Sequence, residues 1–459
     1  MKNYDLAILG AGPGGMAAAR RAAIKNKKVA LINGARIWGH GLHGAYKSKG
    51  MYELAIAFRI SQKRGWGYIP SPGEVNFEEL SQQLIHGTNE LENIYLKQLK
   101  KLSINEYRGL GRFLDPHTLA VGDQELSAEN IIIATGTRPA IPDHIKCDEK
   151  FIMTPDLFIR NTRNLKSILI LGAGIIGCEF ASILHALGVE VHLVDNKPAI
   201  LNHEDEDIYK FLNHSFDAEG INVYHSSKLL EMKLENGGKV RSSLDGNRSI
   251  VTDAALISTG RLANVESLAL ENAGVDTDDR GFIPVDNSTR TNIHHIFAVG
   301  DVGQRTKGVD MALVHVAEAE AHCAIDCLFE TQRSLIINHI PFIIFTMPMI
   351  AGAGMNEKEA LQNFPNARVA KYEFVHNHRA HAMRAYEGYV KLIVAPEGDD
   401  RILGVRAIGP MADTIIGEVS LLIEQDLPYT KLINMIHAHP SLSESLQSAA
   451  QLIEGSIIL

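Results

Sequence analysis

Two glycine motifs of identical spacing are the residues of this chain whose pattern most directly implies chemistry. Each follows a short apolar strand, Tyr4–Leu9 or Ser167–Leu171, and precedes a run of helical composition. In such a G-x-G-x-x-G turn the first glycine allows a tight bend, the second admits a pyrophosphate, and the third lets helix and strand pack closely. Because the amino-terminal end of a helix attracts negative charge, each motif predicts a dinucleotide site. The glycines are Gly10, Gly12 and Gly15 in the first motif and Gly172, Gly174 and Gly177 in the second.

The side chain that binds the ribose of a dinucleotide is expected at the end of the next strand, roughly twenty residues further on. The residues at these positions are Asn33 and Asp195. Asp195 can accept hydrogen bonds from both ribose hydroxyls and would repel a 2′-phosphate, which predicts a preference for NADH over NADPH. Asn33 can still hydrogen-bond a ribose, but it lacks the strength that a charged carboxylate adds.

The size and composition of the chain indicate a multidomain enzyme. The chain has 459 residues, 45% of them apolar, which is too long for a single hydrophobic core. At about 150 residues per domain, roughly three domains are expected. The net charge of −9 argues against a nucleic-acid partner. Four unevenly spaced cysteines and an amino-terminal strand predict a cytoplasmic protein without a secretion signal. The apolar run Ile340–Met355 is interrupted by Pro341 and Pro348, which favours a sheet strand over a transmembrane helix.

Further motifs extend the pattern over the rest of the chain. They are ATGTRP (Ala134–Pro139), STGR (Ser258–Arg261), IFAVGD (Ile296–Asp301), RILGVRAIGP (Arg401–Pro410) and HAHPSLSE (His437–Glu444). Together with the glycine motifs they resemble the pyridine nucleotide-disulfide oxidoreductase family over essentially the whole chain, nearest to dihydrolipoamide dehydrogenase and mercuric reductase. The first two look like the turns that close the flavin and nicotinamide domains, and the last two resemble the dimer-interface domain.

The resemblance implies an α/β fold with two Rossmann-like dinucleotide-binding domains, for FAD and NAD, and a C-terminal α+β dimerisation domain. The expected bounds are 1–145 for the first part of the FAD domain, 146–270 for the NAD domain, 271–340 for the return to the FAD domain and 341–459 for the interface domain. The implied cofactors are FAD and NAD. Because each active site in the family takes its acid–base histidine from the partner chain, a homodimer is expected.

The resemblance also assigns roles to matching residues. Lys49 and Glu179 match the pair that lies beside flavin N5 and holds it and the nicotinamide in hydride-transfer geometry. His439 and Glu444 match the acid–base histidine and the glutamate that orients it. The implied cofactor contacts, besides Asn33, Asp195 and the glycines, are Lys49, Thr135, Gly136 and Asp301 for FAD and Gly260 for NAD.

The catalytic assignments have structural alternatives. Lys49 could be solvated, and Glu179, assigned to the first turn of its helix, could interact with the helix dipole. Glu444 follows Ser441 by three residues, which fits a capping box in which the glutamate reaches back to the N-cap amide. One carboxylate is not expected to serve fully both the cap and the histidine. His437 is predicted to be structural.

The segment Ile37–Lys49 lies where the family carries its redox-active cysteine pair, yet it contains no cysteine. The matching positions are His40 and Ala45, or Gly41 and Ala45 if one residue is deleted. An imidazole and a methyl group cannot accept two electrons, and general acid–base catalysis supplies only proton transfer. Turnover of lipoamide-type or glutathione-type disulfides is therefore predicted to fail.

The four cysteines elsewhere in the chain are not expected to replace that pair. Cys323 and Cys327 share one face of a predicted helix, but helical geometry rarely satisfies the distances that a disulfide needs. Cys178 is assigned to a helix packing position and Cys147 to a loop. All four are predicted to be idle thiols or small apolar side chains.

The changed segment also contains Trp38, His40, His43 and Tyr46, which predict an aromatic and imidazole-lined space for a planar acceptor. We expect an FAD-dependent NADH oxidoreductase whose flavin passes electrons directly to a small-molecule acceptor such as a quinone, a dye or oxygen. The expected proton donor is His439 of the partner subunit, His40 or His43. The alternatives are a loop that repacked after loss of function, an idle nucleotide-binding flavoprotein, and a dihydrolipoamide dehydrogenase with an unrecognised thiol pair.

Two other features bear on the acceptor and on metals. Met349 stands where lipoamide-type members of the family carry a glutamate, which removes a carboxylate near the interface. His376, His378 and His381 could supply imidazole ligands, but alternation along a predicted strand places His381 on the opposite face. No metal site is predicted.

Overall fold

The first glycine motif follows the central strand of a seven-stranded sheet. The structure is a computed structural model that describes residues 2–63, 67, 69, 73–305, 312–331, 334–335 and 339–458. The parallel strands of the sheet are, in order, Asn105–Arg108, Val29–Asn33, Lys2–Leu9, Gln124–Ile133 and Ile296–Ala298. Gly111–Asp115 and Thr118–Val121 extend the sheet in the antiparallel direction. The stretches 6–9, 29–32 and 131–133 of the central strands are buried on both faces, and each is therefore a continuous apolar run.

Four helices accompany this sheet. Helices Pro13–Ile24 and Val314–Phe329 pack together on one face, where alanines let the backbones approach closely. Helix Phe77–Lys101 contributes Leu99 to the same cluster of buried side chains. Helix Tyr46–Gln62 lies between the two glycine-motif units and contacts the helix that follows the second motif.

The second glycine motif follows the middle strand of a five-stranded parallel sheet. Its strands are, in order, Asn222–Tyr224, Glu190–Val194, Ser167–Leu171, Ala254–Ile257 and Ile152–Met153. The helices of this unit are Pro155–Phe158, Ile175–Ala186 and Glu206–Glu219, and a three-stranded antiparallel sheet adds Leu229–Glu235, Lys239–Leu244 and Arg248–Thr252. The carboxyl ends of its parallel strands form the edge at which such sheets bind ligands.

Short strands connect the two units. Thr137–Pro139 pairs with Arg261–Ala263 in an antiparallel ladder, and the Arg138 guanidinium donates to the Ala263 carbonyl at 2.7 Å. Ile283–Val285 pairs with Gly303–Arg305 in a parallel ladder. Two 3-10 turns, Leu270–Ala273 and Gly300–Val302, complete the return of the chain to the first unit.

The C-terminal part is a five-stranded antiparallel sheet covered by helices. Its strands are, in order, Phe342–Ile344, Met349–Gly354, Ile402–Gly409, Tyr389–Val394 and Arg368–Glu373. The helices are Glu357–Asn363, His378–Ala382, Asp413–Glu424, Thr430–Asn434 and Glu444–Glu454. The apolar run that begins at Ile340 therefore forms sheet strands, as predicted. Among the described residues, no helix is long and apolar enough to cross a membrane.

The α/β fold class with two Rossmann-like units and a C-terminal α+β unit is confirmed, whereas the bounds at 145, 270 and 340 stay predictions. The predicted strand through the C-terminal histidines is wrong. His376 ends a 3-10 turn, and His378 begins a helix because the Asn377 side chain accepts hydrogen bonds from the amides of the second and third residues after it. Strand alternation therefore does not describe these imidazoles.

Candidate active site

A cavity of about 2060 Å³ lies between the carboxyl ends of the two parallel sheets and extends to the first strand of the C-terminal sheet. Most of the residues that the sequence singled out line it. They are Gly10, Gly12, Asn33, His40, Gly41, Ala45, Lys49, Thr135, Gly136, Gly172, Gly174, Glu179, Asp195, Gly260 and Asp301. Gly15, Gly177, His439 and Glu444 are not part of its wall.

The outer glycines of each motif are required by the protein's own packing. Gly10 has a φ of 111°, and a Cβ there would overlap the carbonyl of Ala134. A Cβ at Gly15 would overlap the Gly10 carbonyl, which is why helix and strand can approach only at a glycine. The second motif repeats both overlaps at Gly172 and Gly177.

The middle glycines are not required by packing. A Cβ at Gly174 would meet nothing within 4 Å, and the nearest atom to one at Gly12 would be a carbonyl oxygen 3.9 Å away. The space that these two residues leave therefore faces the cavity, where a pyrophosphate would approach the backbone. The buried Thr135 hydroxyl in the same wall has no hydrogen-bond partner among the described residues. These features fit a dinucleotide in each half of the cavity.

Asp195 is held in place at the edge of the second unit by two backbone amides. Its carboxylate accepts hydrogen bonds from Ala173 at 2.5 Å and from Lys197 at 2.8 Å. Each oxygen keeps a lone pair for a further donor, since a carboxylate has about four acceptor positions. The side chain thus keeps acceptor positions free for two ribose hydroxyls.

Asn33 has a carboxylate neighbour that the sequence did not indicate. Its amide nitrogen donates to Glu106 at 2.9 Å, and its carbonyl oxygen is 3.3 Å from the amide of Ala35. Glu106 lies on the adjacent strand, opposite Leu31 in the parallel ladder. No local sequence motif indicates the contact of Glu106 with Asn33, because only the pairing of two strands brings the two residues together.

Lys49 and Glu179 form an ion pair in the cavity wall. The ammonium group donates to both carboxylate oxygens, at 2.9 and 3.1 Å, and lies 4.6 Å from the ring centroid of Phe345. One oxygen of Glu179 also accepts the Phe345 amide at 3.0 Å. The helix begins at Ile175, so Glu179 lies in its second turn and the predicted position in the first turn is wrong. The carboxylate binds Lys49 and is too far along the helix to cap it.

The segment that lacks the cysteines is helical. Gly41–Ala45 forms one π-helical turn that continues into helix Tyr46–Gln62. His40 and His43, three residues apart, point to the same side and line the cavity.

The other two aromatic residues of the segment do not line the cavity, so that part of the prediction is wrong. Trp38 stacks on Tyr95 with ring centroids 4.7 Å apart, and the exposed Tyr46 places its hydroxyl against Gly87. Residue types alone could not separate the side chains that line the cavity from those that do not, because successive residues of a helical turn rotate around its axis.

None of the residues that line the cavity is a cysteine, within the ranges that the structure describes. Cys178 is fully buried and donates to the Ala173 carbonyl at 3.3 Å. Burial raises the pKa of its thiol, so that the reactive thiolate is strongly disfavoured. Cys323 and Cys327 lie on helix Val314–Phe329, and no disulfide joins any of the four cysteines.

His439 and Glu444 are brought together outside the cavity of their own chain. The imidazole Nδ1 lies 2.8 Å from one carboxylate oxygen, and the other oxygen accepts the Ser441 amide at 2.7 Å. The Ser441 contact does not cap the helix, because the helix begins at Glu444 after Ser443 and the buried Ser441 hydroxyl has no hydrogen-bond partner among the described residues, so the capping-box alternative is wrong. Burial raises the pKa of Glu444, but the Ser441 amide and His439 outweigh it, and the net pKa is lowered.

The other nitrogen of the His439 ring faces a second histidine that the sequence did not connect with it. His378 Nδ1 lies 3.4 Å from His439 Nε2, and the rings meet edge to face. The His439 side chain is 60% exposed. It does not line the cavity of its own chain.

Known proteins resemble this chain over almost its whole length. The family described as "Pyridine nucleotide-disulphide oxidoreductase" matches residues 4–321, and its dimerisation domain matches residues 340–450. The dihydrolipoyl dehydrogenase of Bacillus subtilis is 32% identical, with 99% of each chain aligned. The mitochondrial dihydrolipoyl dehydrogenase of Schizosaccharomyces pombe is 32% identical over 97% of this chain and 89% of that protein. The solved structure of the HOCl-induced flavoprotein disulfide reductase RclA from Escherichia coli has a TM-score of 0.88 at 25% identity, over 98% of this chain and 100% of that one.

The fold, the two glycine cradles and the relatives lead to one assignment. FAD and NAD(H) are the cofactors of these proteins, which confirms the two cofactors expected from the sequence. The dimerisation domain likewise supports a homodimer. The family match spans more than half of the chain, and the chain therefore belongs to the pyridine nucleotide-disulfide oxidoreductases.

Proposed function

We propose that this flavin-dependent oxidoreductase takes electrons from NADH and passes them from FAD directly to a small-molecule acceptor that is not a disulfide. One observation carries the proposal: the cavity wall contains the Lys49–Glu179 pair and Asp195 but, among the described residues, no cysteine. The residues for accepting a hydride from NADH are present, while the sulfur relay is absent.

FAD supplies the two-electron chemistry when it is bound, by accepting a hydride from NADH and handing the electrons on. The residues of the chain bind and orient. Asp195 offers acceptors to the ribose of NADH, the opened glycine turns admit the pyrophosphates, and Lys49 presents a fixed positive charge. Such positioning matters because a hydride moves over a short distance only when donor and acceptor are aligned.

The acceptor is proposed to approach the segment 40–45, where His40 and His43 face the cavity. A quinone, a dye or oxygen accepts electrons without a thiol and fits this chemistry. His439 from a second copy, His40 and His43 are the candidate proton donors. The homodimer, the domain bounds predicted above and a cytoplasmic location complete the proposal.

An anaerobic titration with NADH tests it. We expect the flavin absorbance to bleach completely after about one equivalent of NADH, because a single two-electron centre is present. The bleached enzyme should then be reoxidised by menadione or 2,6-dichlorophenolindophenol. A double substitution, His40→Cys with Ala45→Cys, is the matched control, since a restored pair adds a second two-electron centre.

Other outcomes select the alternatives. Stepwise uptake of about two equivalents by the natural chain, with a long-wavelength thiolate–flavin band, would indicate a thiol pair and overturn the proposal. A flavin that NADH does not bleach would indicate a nucleotide-binding protein without turnover.

A further inference from the structure

His40, one of the two residues matched above to the family's first redox cysteine, lies against a carboxylate. Its Nδ1 is 3.3 Å from Oδ1 of Asp156, and both side chains line the cavity. Asp156 Oδ1 is buried, and no described residue donates a hydrogen bond to it. A buried acceptor without a donor is costly, so this oxygen favours an N–H on the imidazole that faces it.

The backbone around His40 leaves room for the ring. A Cβ at Gly44 would overlap the imidazole, so the glycine is what allows His40 to lie across the π-helical turn. Asp156 lies in the first turn of helix Pro155–Phe158, in the stretch that leads into the second unit. Two distant segments therefore meet at this imidazole.

His43, the other imidazole in the cavity wall, is committed elsewhere. Its Nε2 is 3.2 Å from the carbonyl of Ile37, which requires the proton on that nitrogen. Burial, with a smaller contribution from Arg36, lowers the pKa of His43 to about 4. One ring nitrogen of His43 is thus occupied by a carbonyl, whereas His40 faces a carboxylate that stabilises a protonated ring, and His40 is the better candidate.

The charges that face His40 come from four elements. Burial lowers its pKa most, Arg261 and Lys49 lower it further, and Asp156 and Asp301 raise it. Asp156 thus stabilises the protonated ring against the two cations.

We propose that His40 and Asp156 form a proton-donating pair within one subunit, in which His40 protonates the acceptor at the former disulfide position and Asp156 is its positioning residue. The inference rests on the proposed function and names the donor for the same acceptor site. In the protonated ring, Nδ1–H faces Asp156, which leaves Nε2–H as the proton that the ring can donate.

The step balances for a quinone, which takes two electrons and two protons to become a hydroquinone. A hydride equivalent that originates in NADH brings both electrons and one proton through FAD. The second proton comes from Nε2 of protonated His40: the N–H bond breaks and an O–H bond forms on the acceptor. The neutral ring then regains a proton from water.

The first test is the pH dependence of menadione reduction by the NADH-reduced holoenzyme. The donor must be protonated, so the rate is expected to be high below the pKa of His40, which lies below its ordinary value of 6.5, and to fall as pH rises. His40→Ala should slow this half-reaction about 10²-fold and abolish the pH-dependent limb. Asp156→Asn should move the limb to lower pH by on the order of one unit, because a charge that raises the pKa is lost. Asp123→Asn, at an exposed turn, is the control for losing a carboxylate.

A second measurement does not depend on turnover. Exchange of the imidazole C2–H with deuterium, followed by mass spectrometry, reports the pKa of His40 in the holoenzyme. Asp156→Asn is expected to lower that pKa, and an unchanged or raised pKa would overturn the pairing. A pH limb that survives in His40→Ala but disappears in His439→Ala would assign the proton to the other histidine. Failure of the proposed function itself would be visible separately, as a thiolate band or an unbleached flavin in the NADH titration.

Discussion

The Lys49–Glu179 pair is enclosed on its carboxylate side and open on its ammonium side. The Glu179 side chain is 7% exposed and that of Lys49 is 32% exposed, so the cation is the part that faces the cavity. Glu179 is fixed by the Phe345 amide as well, which makes it an anchor for the lysine. Removing the cation should therefore affect chemistry more than folding.

The substitution Lys49→Met tests this at the residue scale. We expect flavin reduction by NADH to slow by about 10- to 100-fold, because the charge that orients the reacting groups is lost. Stopped-flow bleaching of the flavin measures it. Lys97→Met, on an exposed helix face, should react like the natural enzyme, and an unaltered rate in Lys49→Met would show that the pair is only structural.

The proposed preference for NADH depends on Asp195. Replacing it in Asp195→Ser removes the charged acceptor and the repulsion of a 2′-phosphate. We expect kcat/KM for NADH to fall at least about tenfold, the cost of losing a hydrogen bond to a charged group, while that for NADPH rises. Steady-state kinetics with both nucleotides measures the ratio, with Asp123→Ser as the control. Equal preference in the natural enzyme would contradict the assignment.

At the scale of elements, the π-helical turn Gly41–Ala45 determines which side chains line the cavity at the segment that lacks the cysteines. It directs His40 and His43 into the cavity and turns Trp38 and Tyr46 away from it. The imidazole of His40 packs against the backbone of Gly44, in the space that a Cβ at residue 44 would occupy.

The substitution Gly44→Ala should therefore destabilise the protein by about 1–3 kcal/mol, because the new methyl group collides with the His40 ring. Urea unfolding followed by circular dichroism measures this. In a His40→Ala background the same change should lower the free energy of unfolding only slightly or should raise it, since alanine has a higher helix propensity than glycine. An equal cost in both backgrounds would mean that the ring does not occupy that space.

At the scale of the whole molecule, Lys391 joins the NAD-binding unit to the C-terminal sheet. Its side chain is 1% exposed, and its ammonium group lies 2.7 Å from Asp205, 2.7 Å from Asp207 and 2.9 Å from Glu357. The three carboxylates converge closely enough to hold a metal ion, but the lysine supplies the positive charge. Burial lowers the pKa of Lys391, and the three bonds outweigh it and raise the pKa.

Lys391→Met should destabilise the protein by about 3 kcal/mol at neutral pH, because the carboxylates lose their buried cation. Burial raises the pKa of Asp207, but Lys371 and Lys391 outweigh it and hold the pKa below 3.8. The contribution of Asp207 to the free energy of unfolding is therefore present above pH 3.8 and is lost as the pH falls further. The difference in the free energy of unfolding between the variant and the natural enzyme should therefore decrease in acid, and unfolding at several pH values measures it. The half-exposed Lys371→Met should cost less than about 1 kcal/mol, and a gap that is constant with pH would refute the account.

The surface near His439 is expected to be covered in the homodimer. Ile436 is 97% exposed on the single chain, three residues before His439. Ile436→Glu should weaken association by placing a charge in the contact, and sedimentation velocity would detect the monomer. Ile24→Glu, on a helix of the first unit, is the control with a comparably exposed isoleucine. A dimer that is unaffected by Ile436→Glu would place the interface elsewhere.

The sequence was most informative where one local turn carries the function. Gly12 and Gly174 could be predicted, because the glycine spacing alone defines a pyrophosphate cradle. Glu106 and Asp156 could not be predicted, because each reaches its partner through a strand pairing or a loop from a distant part of the chain. Glu444 was predicted in two alternative roles, and only the structure revealed that its carboxylate contacts His439 without capping the helix.

The sequence by itself determined that this chain has two dinucleotide-binding turns and no cysteine in the segment Ile37–Lys49. These properties depend on residue type and short spacing, which are local. Only the tertiary structure decided which side chains border the space at segment 40–45, because the direction of each depends on a single helical turn and on what packs against it. It replaced the expected aromatic pocket with His40, held between Gly44 and Asp156.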